Sequence, residues 1–162
     1  MEPSEWGVAN MPTSTQTISS AQVVSKFLIQ NSERVSNLKL QKLLYYAQGW
    51  HLGLYSKPLF DERIEAWRHG PVVPGIFHLY RDFKWSPIQV ETTPVDVSSS
   101  VSKHLKAILK VYGQWTAAQL ETQSHTESPW IEARQGYPDG ASCRTVITQE
   151  SMQRYFCKLA NA

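Results

Sequence analysis

The clearest hydrophobic periodicity in the chain lies between Asn37 and Gly53. Asn37 is predicted to cap the first turn of a helix there, and Gly53 with Leu54 and Tyr55 is predicted to mark its end. Apolar side chains recur at three- and four-residue spacing, as along one stripe of an α-helix; they are Leu40, Leu43, Leu44, Ala47 and Trp50. The other side is filled by Lys39, Gln41, Lys42, Gln48 and His51. Tyr45 and Tyr46 flank the stripe, so we expect this helix to contact protein over more than half of its circumference.

Helical spacing returns in five further stretches, which cover residues 19–30, 74–82, 98–113, 116–123 and 148 onward. Ser19 with Gln22, and Thr116 with Gln119, fit the capping box of a helix N-terminus. Thr148 is predicted to cap the last helix. Pro129 suits the first position of one more helical turn.

A small β element is predicted between residues 58 and 68. Residues 59–60 and 63–68 read as two short strands joined at Asp61 and Glu62, because Ile64 and Ala66 point to one side of the second strand. A lone hairpin is only marginally stable, so this one should pack on helices. Residues 69–75 contain two prolines and two glycines and are predicted to form a rigid corner.

These elements predict a mainly α fold, a single-domain helical bundle of about six helices with a small β-hairpin. The domain is expected to span residues 18–162. Residues 1–17 show no periodicity and much Ser, Thr and Pro, so a flexible N-terminal tail is predicted.

Composition adds few constraints on function. The chain has 162 residues, 41% of them hydrophobic, which suffices for one domain with a core. Six Trp, seven Tyr and five Phe supply residues favoured at protein interfaces. The net charge of +2 is too small to indicate a nucleic-acid binder. No apolar run reaches membrane length and the N-terminus is polar, so we expect a cytoplasmic protein without a signal peptide.

The sequence offers little for catalysis or metal binding. Cys143 and Cys157 are far apart and form neither a disulfide framework nor a zinc motif. No pair of histidines has metal-ligand spacing, and no nucleophile or phosphate-loop motif is present. No cofactor is expected. A hydrolase using His69 or His78 with nearby carboxylates stays open as a less favoured alternative.

A nucleic-acid-binding regulator is the other alternative. The first two predicted helices are joined by a short link, as in a helix-turn-helix, and the second carries Lys39, Gln41 and Lys42. Its aromatic end favours burial over DNA contact. Nucleic-acid binding is therefore not the preferred hypothesis.

Three stretches in fixed order carry a family resemblance. They are LKLQKLLYYAQGW (residues 38–50), PLFDERIEAWRHGPVV (residues 58–73) and a pattern from Tyr112 to Trp130 that includes WTAAQLE, His125 and PW. This combination resembles the Panacea, or SocA-like, antitoxin domain, also known from phage-associated GepA-type proteins. The resemblance extends over roughly residues 20–160.

The resemblance implies a mostly helical domain and a non-enzymatic antitoxin that neutralises a toxin encoded beside it. The implied partner is a cognate protein toxin, with masking of the toxin and delivery to a cellular protease as open alternatives. Family motif positions fall on Lys39, Leu40, Gln41, Lys42, Leu43, Tyr45, Tyr46, Trp67, Gly70, Pro71, Tyr80, His125, Pro129 and Trp130.

Seven residues are the candidates for partner binding. Aromatic anchors ringed by polar groups carry most interface energy, and the tyrosines and lysines of the central helix exceed what a core requires. The candidates are Lys39, Lys42, Tyr45, Tyr46, Trp67, Tyr80 and Arg81. Ordinary core packing is the alternative for each aromatic residue.

Overall fold

The computed structural model describes residues 19–162, so the predicted tail lies outside the described residues. The described chain has seven α-helices, one 3-10 helix and three strands. In chain order they are α1 (Ala21–Gln30), α2 (Asn37–Tyr55), β1 (Ile64–Trp67), β2 (Gly70–Val72), α3 (Pro74–Leu79), the 3-10 helix (Arg81–Phe83), α4 (Ser99–Tyr112), α5 (Ala117–Ser124), α6 (Ser128–Ala133), β3 (Val146–Ile147) and α7 (Gln149–Ala160). The predicted fold class, a mainly helical single domain with a small β element, is confirmed.

Helix α2 is the central element, and α1, α4, α5 and α7 all pack against it. Thirteen of its nineteen residues are buried, which confirms the predicted contact over most of its circumference. The predicted N-cap was wrong by one residue, whereas the end of the helix falls within the predicted residues. Ser36 caps the N-terminus, because its hydroxyl accepts from the backbone amide of Lys39 at 3.2 Å. The helix continues past Gly53 to Tyr55 and ends at Ser56, which has the left-handed conformation.

Two glycines let α7 approach α2 closely. A Cβ atom at Gly49 would overlap the ring of Phe156, and one at Gly53 would lie 2.7 Å from the backbone carbonyl carbon of Phe156. Real Cβ atoms do not come that close to backbone. Gly53 therefore serves helix packing rather than helix termination.

The β element differs from the prediction. The hairpin turn lies at Arg68 and His69, and β2 begins at Gly70, in the stretch predicted to be a corner. Residues 59–60 form no strand, because Gln48 binds their backbone: its Oε1 accepts from Leu59 N at 2.7 Å and its Nε2 donates to Phe60 O at 2.7 Å. Side-chain bonds from a distant helix replace strand pairing there.

The sheet has three strands in the order β2-β1-β3, all antiparallel. Trp67 lies opposite Gly70, and Ile64 lies opposite Ile147. The third strand was not predicted, since two residues are too few to show an alternating pattern. It closes the far edge of the sheet with residues more than 80 positions away in sequence.

Most other helix boundaries follow their local signals. The capping box of Thr116 and Gln119 is present, and Thr148 caps α7 as predicted. Ser20, not Ser19, caps α1. The single helix predicted over residues 74–82 is instead α3 followed by the 3-10 helix. No helix among residues 19–162 is long and apolar enough to cross a membrane.

Candidate functional site

A buried hydrogen-bond network lies along α2, starting from its two tyrosines. The hydroxyl of Tyr45 donates to Glu127 Oε1 at 2.9 Å, and that of Tyr46 donates to Glu127 Oε2 at 3.1 Å. Gln123 donates to the same carboxylate at 3.1 Å. Burial raises the pKa of Glu127, and it also raises the pKa values of both tyrosines, to which the nearby Glu127 charge contributes. The network joins α2 to the segment between α5 and α6.

A second set of bonds fixes the hairpin against α2. Gln41 accepts from the backbone amide of Val73 at 2.9 Å and donates to the side chain of Asn37 at 2.9 Å. Asn37 in turn donates to the carbonyl of Phe77 at 3.0 Å. Two buried polar side chains of α2 therefore hold the junction between β2 and α3 and one carbonyl group within α3.

Lys42 lies fully buried beneath the hairpin. Its ammonium has no hydrogen-bond partner among residues 19–162, and burial lowers its pKa to about 8, against the opposing effect of the Glu121 charge. Gly70 has φ +112° and packs on it, since a Cβ at this glycine would lie 2.7 Å from Lys42 Cε. Gly70 is therefore required both by its backbone conformation and by the lysine below it.

A cleft of about 680 Å³ lies between the hairpin, α3 and the segment before β3. We call it the basic cleft. Its more buried side is formed by Asn37, Leu38, Trp67, Val72, Phe77 and Cys143. Its exposed side is formed by Arg68, His69, Arg81, Lys84, Trp85, Ser142 and Arg144, with Glu121 between them. The volume is in the range of natural ligand sites.

Trp67, an aromatic residue of the basic cleft, is held in place by contacts with several other residues. Its indole N–H donates to Glu65 Oε1 at 2.8 Å, its ring meets that of Phe77 edge-on at 5.2 Å, and the guanidinium of Arg144 lies over it at 5.6 Å. Its backbone carbonyl accepts from the indole of Trp130 at 3.0 Å. These contacts hold one ring face in a defined orientation against the cleft.

Glu65 supports Trp67 from behind. Burial acts to raise the pKa of Glu65, but hydrogen bonds from Trp67 and Arg63, with the charges of Arg63 and Arg144, bring it below its usual value. Arg63 donates to it at 2.7 Å. The carboxylate is thus kept charged behind the tryptophan, where it offsets part of the positive charge of Arg144.

The exposed side of the basic cleft is strongly cationic. Arg68, Arg81, Lys84 and Arg144 have no carboxylate at salt-bridge distance within residues 19–162. The carboxylate of Glu121, on the same surface, lies 3.1 Å from His69 Nδ1. Lys84 has φ +54°, an unusual conformation for a side chain with a Cβ, and the following Trp85 is 83% exposed.

The structure separates the seven predicted partner-binding residues into three groups. Trp67 and Arg81 line the basic cleft. Lys39 is partly buried on another face, where its ammonium donates to the carbonyl of Gly113 at 2.5 Å. The remaining four, Lys42, Tyr45, Tyr46 and Tyr80, are buried and offer no surface to a partner in this conformation.

Sequence reasoning missed most of the basic cleft. Arg68, Lys84, Trp85 and Arg144 come from three separate segments, and none is a family motif position. Arg68 ends a predicted strand, and the other three belong to no periodic pattern. Lys84 and Trp85 lie in a stretch without helical spacing, which gave only a weak indication of a surface site. The positive φ of Lys84 could not be anticipated from its residue type.

The alternative functions gain little from the geometry. Gln41 and Lys42 point into the protein, so α2 does not present them to a DNA groove. His69 lies in the basic cleft beside Glu121, whereas His78 is exposed outside it. Within the described residues, no three His, Cys, Asp or Glu side chains are grouped to hold a metal ion.

Comparison with known proteins places these features in a family. The sequence profile described as "Antitoxin SocA-like, Panacea domain" matches residues 40–131, from the first turn of α2 into α6. The chain is 30% identical over 139 residues to the antitoxin SocA of Caulobacter vibrioides (strain NA1000 / CB15N), covering 74% of each chain. No solved structure matches the chain.

Proposed function

The chain belongs to the Panacea family of SocA-like antitoxins, and we propose that it neutralises a toxin encoded beside it by binding that toxin directly. The contact surface in this proposal is the face that carries the basic cleft. The protein acts in the cytoplasm as a non-enzymatic binder.

The basic cleft is the observation that supports direct binding. It combines a fixed tryptophan, an exposed tryptophan and arginines that have no carboxylate partner among residues 19–162. Tryptophan and arginine are among the residue types that dominate interface energies. Trp67 is already oriented by Glu65 and Phe77, so little conformational freedom is lost when a partner covers it. Of the seven predicted residues, Trp67 and Arg81 keep a direct binding role in this proposal.

The four buried candidates act through the fold. Tyr45 and Tyr46 hold Glu127, and Lys42 supports Gly70 and the hairpin from below. Tyr80 precedes the 3-10 helix that carries Arg81, and its ring packs against Phe83 at 6.3 Å between centroids. These residues are positioning residues for the surface above them.

Co-expression tests this function. Each neighbouring open reading frame is expressed under tight control with and without this chain, and growth is scored. A tagged copy is then used to isolate the toxic product. Growth rescue together with a stoichiometric complex supports direct neutralisation. If none of the neighbouring genes is toxic, the antitoxin function loses its main support.

Delivery of the toxin to a cellular protease is the finer alternative. It predicts that rescue disappears in a protease-deficient strain while the complex still forms. Masking predicts rescue in both strains. The toxin half-life, followed after translation is stopped, separates the two: delivery shortens it and masking does not.

The enzyme alternative is tested with the same assay. His69→Gln and Glu121→Gln keep the approximate size of each side chain but change the proton-transfer groups. A binder tolerates both variants with at most a small change in affinity. If either variant abolished rescue while leaving the toxin complex intact, catalysis would replace masking as the explanation.

A further inference from the structure

The basic cleft has more positive charge than the described residues around it neutralise. Four cations line it, namely Arg68, Arg81, Lys84 and Arg144. Among the described lining residues Glu121 is the only carboxylate, and it lies 3.1 Å from His69 Nδ1. Glu65, behind Trp67, offsets part of the charge of Arg144 but not that of the other three cations. The whole chain has a formal charge of only +2. Positive charge is therefore concentrated at this surface, where it favours an anionic ligand.

The interior of the cleft is apolar rather than charged. Trp67 and Phe77 meet edge-on, and Val72 and Leu38 extend the apolar surface beside them. A ligand that satisfies only the cations would leave these rings uncovered. The fitting ligand carries both negative charge and at least one apolar or aromatic side chain.

Lys84, which precedes Trp85, has a backbone conformation that is unfavourable for the stability of the fold. Lys84 has positive φ, which is unfavourable for a residue with a Cβ. The same turn leaves the indole of Trp85 83% exposed beside the cleft. Residues held in unfavourable conformations at a concave surface are frequent at binding sites.

The size and charge of the cleft favour a peptide over nucleic acid. A cleft of about 680 Å³ accommodates a few side chains. Proteins that track a phosphate backbone use roughly six to ten phosphate contacts, more than the four cations here supply. An arginine guanidinium binds a carboxylate as well as it binds a phosphate.

We infer that the basic cleft binds an acidic segment of the toxin, with carboxylates on Arg81, Lys84 and Arg144 and an apolar or aromatic side chain against Trp67 and Phe77. The inference rests on the proposed antitoxin function and names the chemistry of its partner. In this arrangement the exposed indole of Trp85 covers the bound segment on its solvent side.

Charge reversal in the purified complex tests the inference. Arg81→Glu with Lys84→Glu is expected to weaken toxin binding at least about tenfold, because like charges would face each other across the interface. Lys103→Glu with Lys106→Glu changes the net charge equally on the exposed side of α4 and should alter affinity less than about twofold. Equal effects of the two pairs would overturn the inference.

The variant Lys84→Gly tests whether weaker toxin binding could result from loss of folding. Glycine adopts positive φ without strain, so this variant should raise the melting temperature while weakening toxin binding about threefold or more. Trp85→Ser should also weaken binding without lowering the melting temperature. Unchanged affinity in both variants would exclude this surface as the docking site.

A test without the toxin separates failure of this inference from failure of the proposed function. A displayed library of random dodecapeptides is selected on the wild-type protein and counter-screened on the Arg81→Glu/Lys84→Glu variant. Enriched peptides rich in Asp and Glu with an aromatic residue, lost on the variant, support the cleft assignment even if no neighbouring gene is toxic. Enriched peptides without acidic residues, or bound equally by the variant, overturn it.

The last measurement tests whether the protein binds labelled 20-nucleotide single-stranded or duplex DNA. If either binds the wild-type protein more tightly than the selected peptides and is lost on the same variant, the cleft is a nucleic-acid site and the inference is wrong. Absence of DNA binding at low salt, with peptide binding that weakens as salt rises, is the expected result.

Discussion

The hydroxyl of Tyr45 donates a hydrogen bond of 2.9 Å to Glu127 Oε1, across 82 positions of sequence. Both residues are buried, and Tyr46 and Gln123 complete the partners of the same carboxylate. This one carboxylate connects the central helix to the segment that leads into α6. The family motif tyrosines are thereby explained as structural donors inside the domain.

Removing one of these hydroxyls should destabilise the protein. Tyr45→Phe is expected to lower the free energy of unfolding by about 1–3 kcal/mol, because the buried carboxylate loses one of its three donors. Urea unfolding measures the change. Tyr137→Phe removes a hydroxyl from a 47% exposed tyrosine and should change stability by less than about 0.5 kcal/mol.

A double-mutant cycle identifies the cause. If the Tyr45→Phe effect arises from Glu127, it should shrink when Glu127→Gln is already present, because the charged acceptor is gone. Additive effects of the two substitutions would show that the hydroxyl and the carboxylate do not interact in solution.

Replacing Lys42 should stabilise the protein at neutral pH. Lys42 is fully buried, and burial lowers its pKa from 10.5 to about 8, a difference worth about 3 kcal/mol. Lys42→Met keeps the length of the side chain and removes the ammonium. We expect a gain of about 1–3 kcal/mol at pH 7 by urea unfolding, with the exposed Lys106→Met as the control for loss of one charge.

The pH dependence of this gain gives its signature. A lysine whose folded-state pKa is lowered costs most stability below pH 8, where both states are protonated, and costs nothing above about pH 10.5, where both are neutral. The advantage of Lys42→Met over wild type should therefore fall by about half between pH 7 and pH 9.5. A constant advantage across this range would mean that the ammonium is not the cause.

The glycines that face Phe156 should respond differently to added side chains. Gly49→Ala places a Cβ against the ring of Phe156, and we expect a loss of about 1–3 kcal/mol. Phe156→Leu should relieve part of this loss, since a smaller side chain leaves room. Gly53→Ala meets the backbone of α7 instead, so Phe156→Leu should not relieve it. Thermal unfolding of the three single variants and the two double variants decides the point, and equal relief at both positions would contradict it.

Acid should weaken the contact between α2 and α4. His104 Nε2 lies 2.8 Å from the carbonyl oxygen of Ala47, which can only accept, so the neutral ring carries its proton there. The ring meets that of His51 edge-on at 5.1 Å. Burial lowers the pKa values of both histidines below 6.5, so stability present above pH 6.5 is lost as pH falls through the folded-state values.

The measurement is urea unfolding between pH 7.5 and pH 5. Each histidine contributes at most about 1.4 kcal/mol per pH unit to the loss. His104→Gln keeps an N–H donor of similar reach and should flatten the acid side of the profile. The exposed His78→Gln serves as the control for loss of one imidazole. A profile that His104→Gln leaves as steep as wild type would point to other groups.

Local patterns anticipated the helices well, and the errors at their ends are instructive. The cap of α2 was placed at Asn37, whose side chain instead bonds Gln41 and the carbonyl of Phe77. Gly53 was read as a helix end, although its lack of a Cβ serves packing on α7. Asn is common at helix N-caps and Gly at helix ends. At both positions, however, the residue type serves a contact with a distant element of the fold.

The sequence by itself determined where helices form, which stripe of each is apolar, and to which family the motifs belong, because these signals arise between residues a few positions apart. Only the tertiary structure decided that Tyr45 and Tyr46 face a buried Glu127, that Lys42 lies under Gly70, and that Arg81, Trp85 and Arg144 share one cleft with Trp67. Such groupings depend on how helices and strands pack across tens of positions, and one-dimensional spacing does not encode that packing.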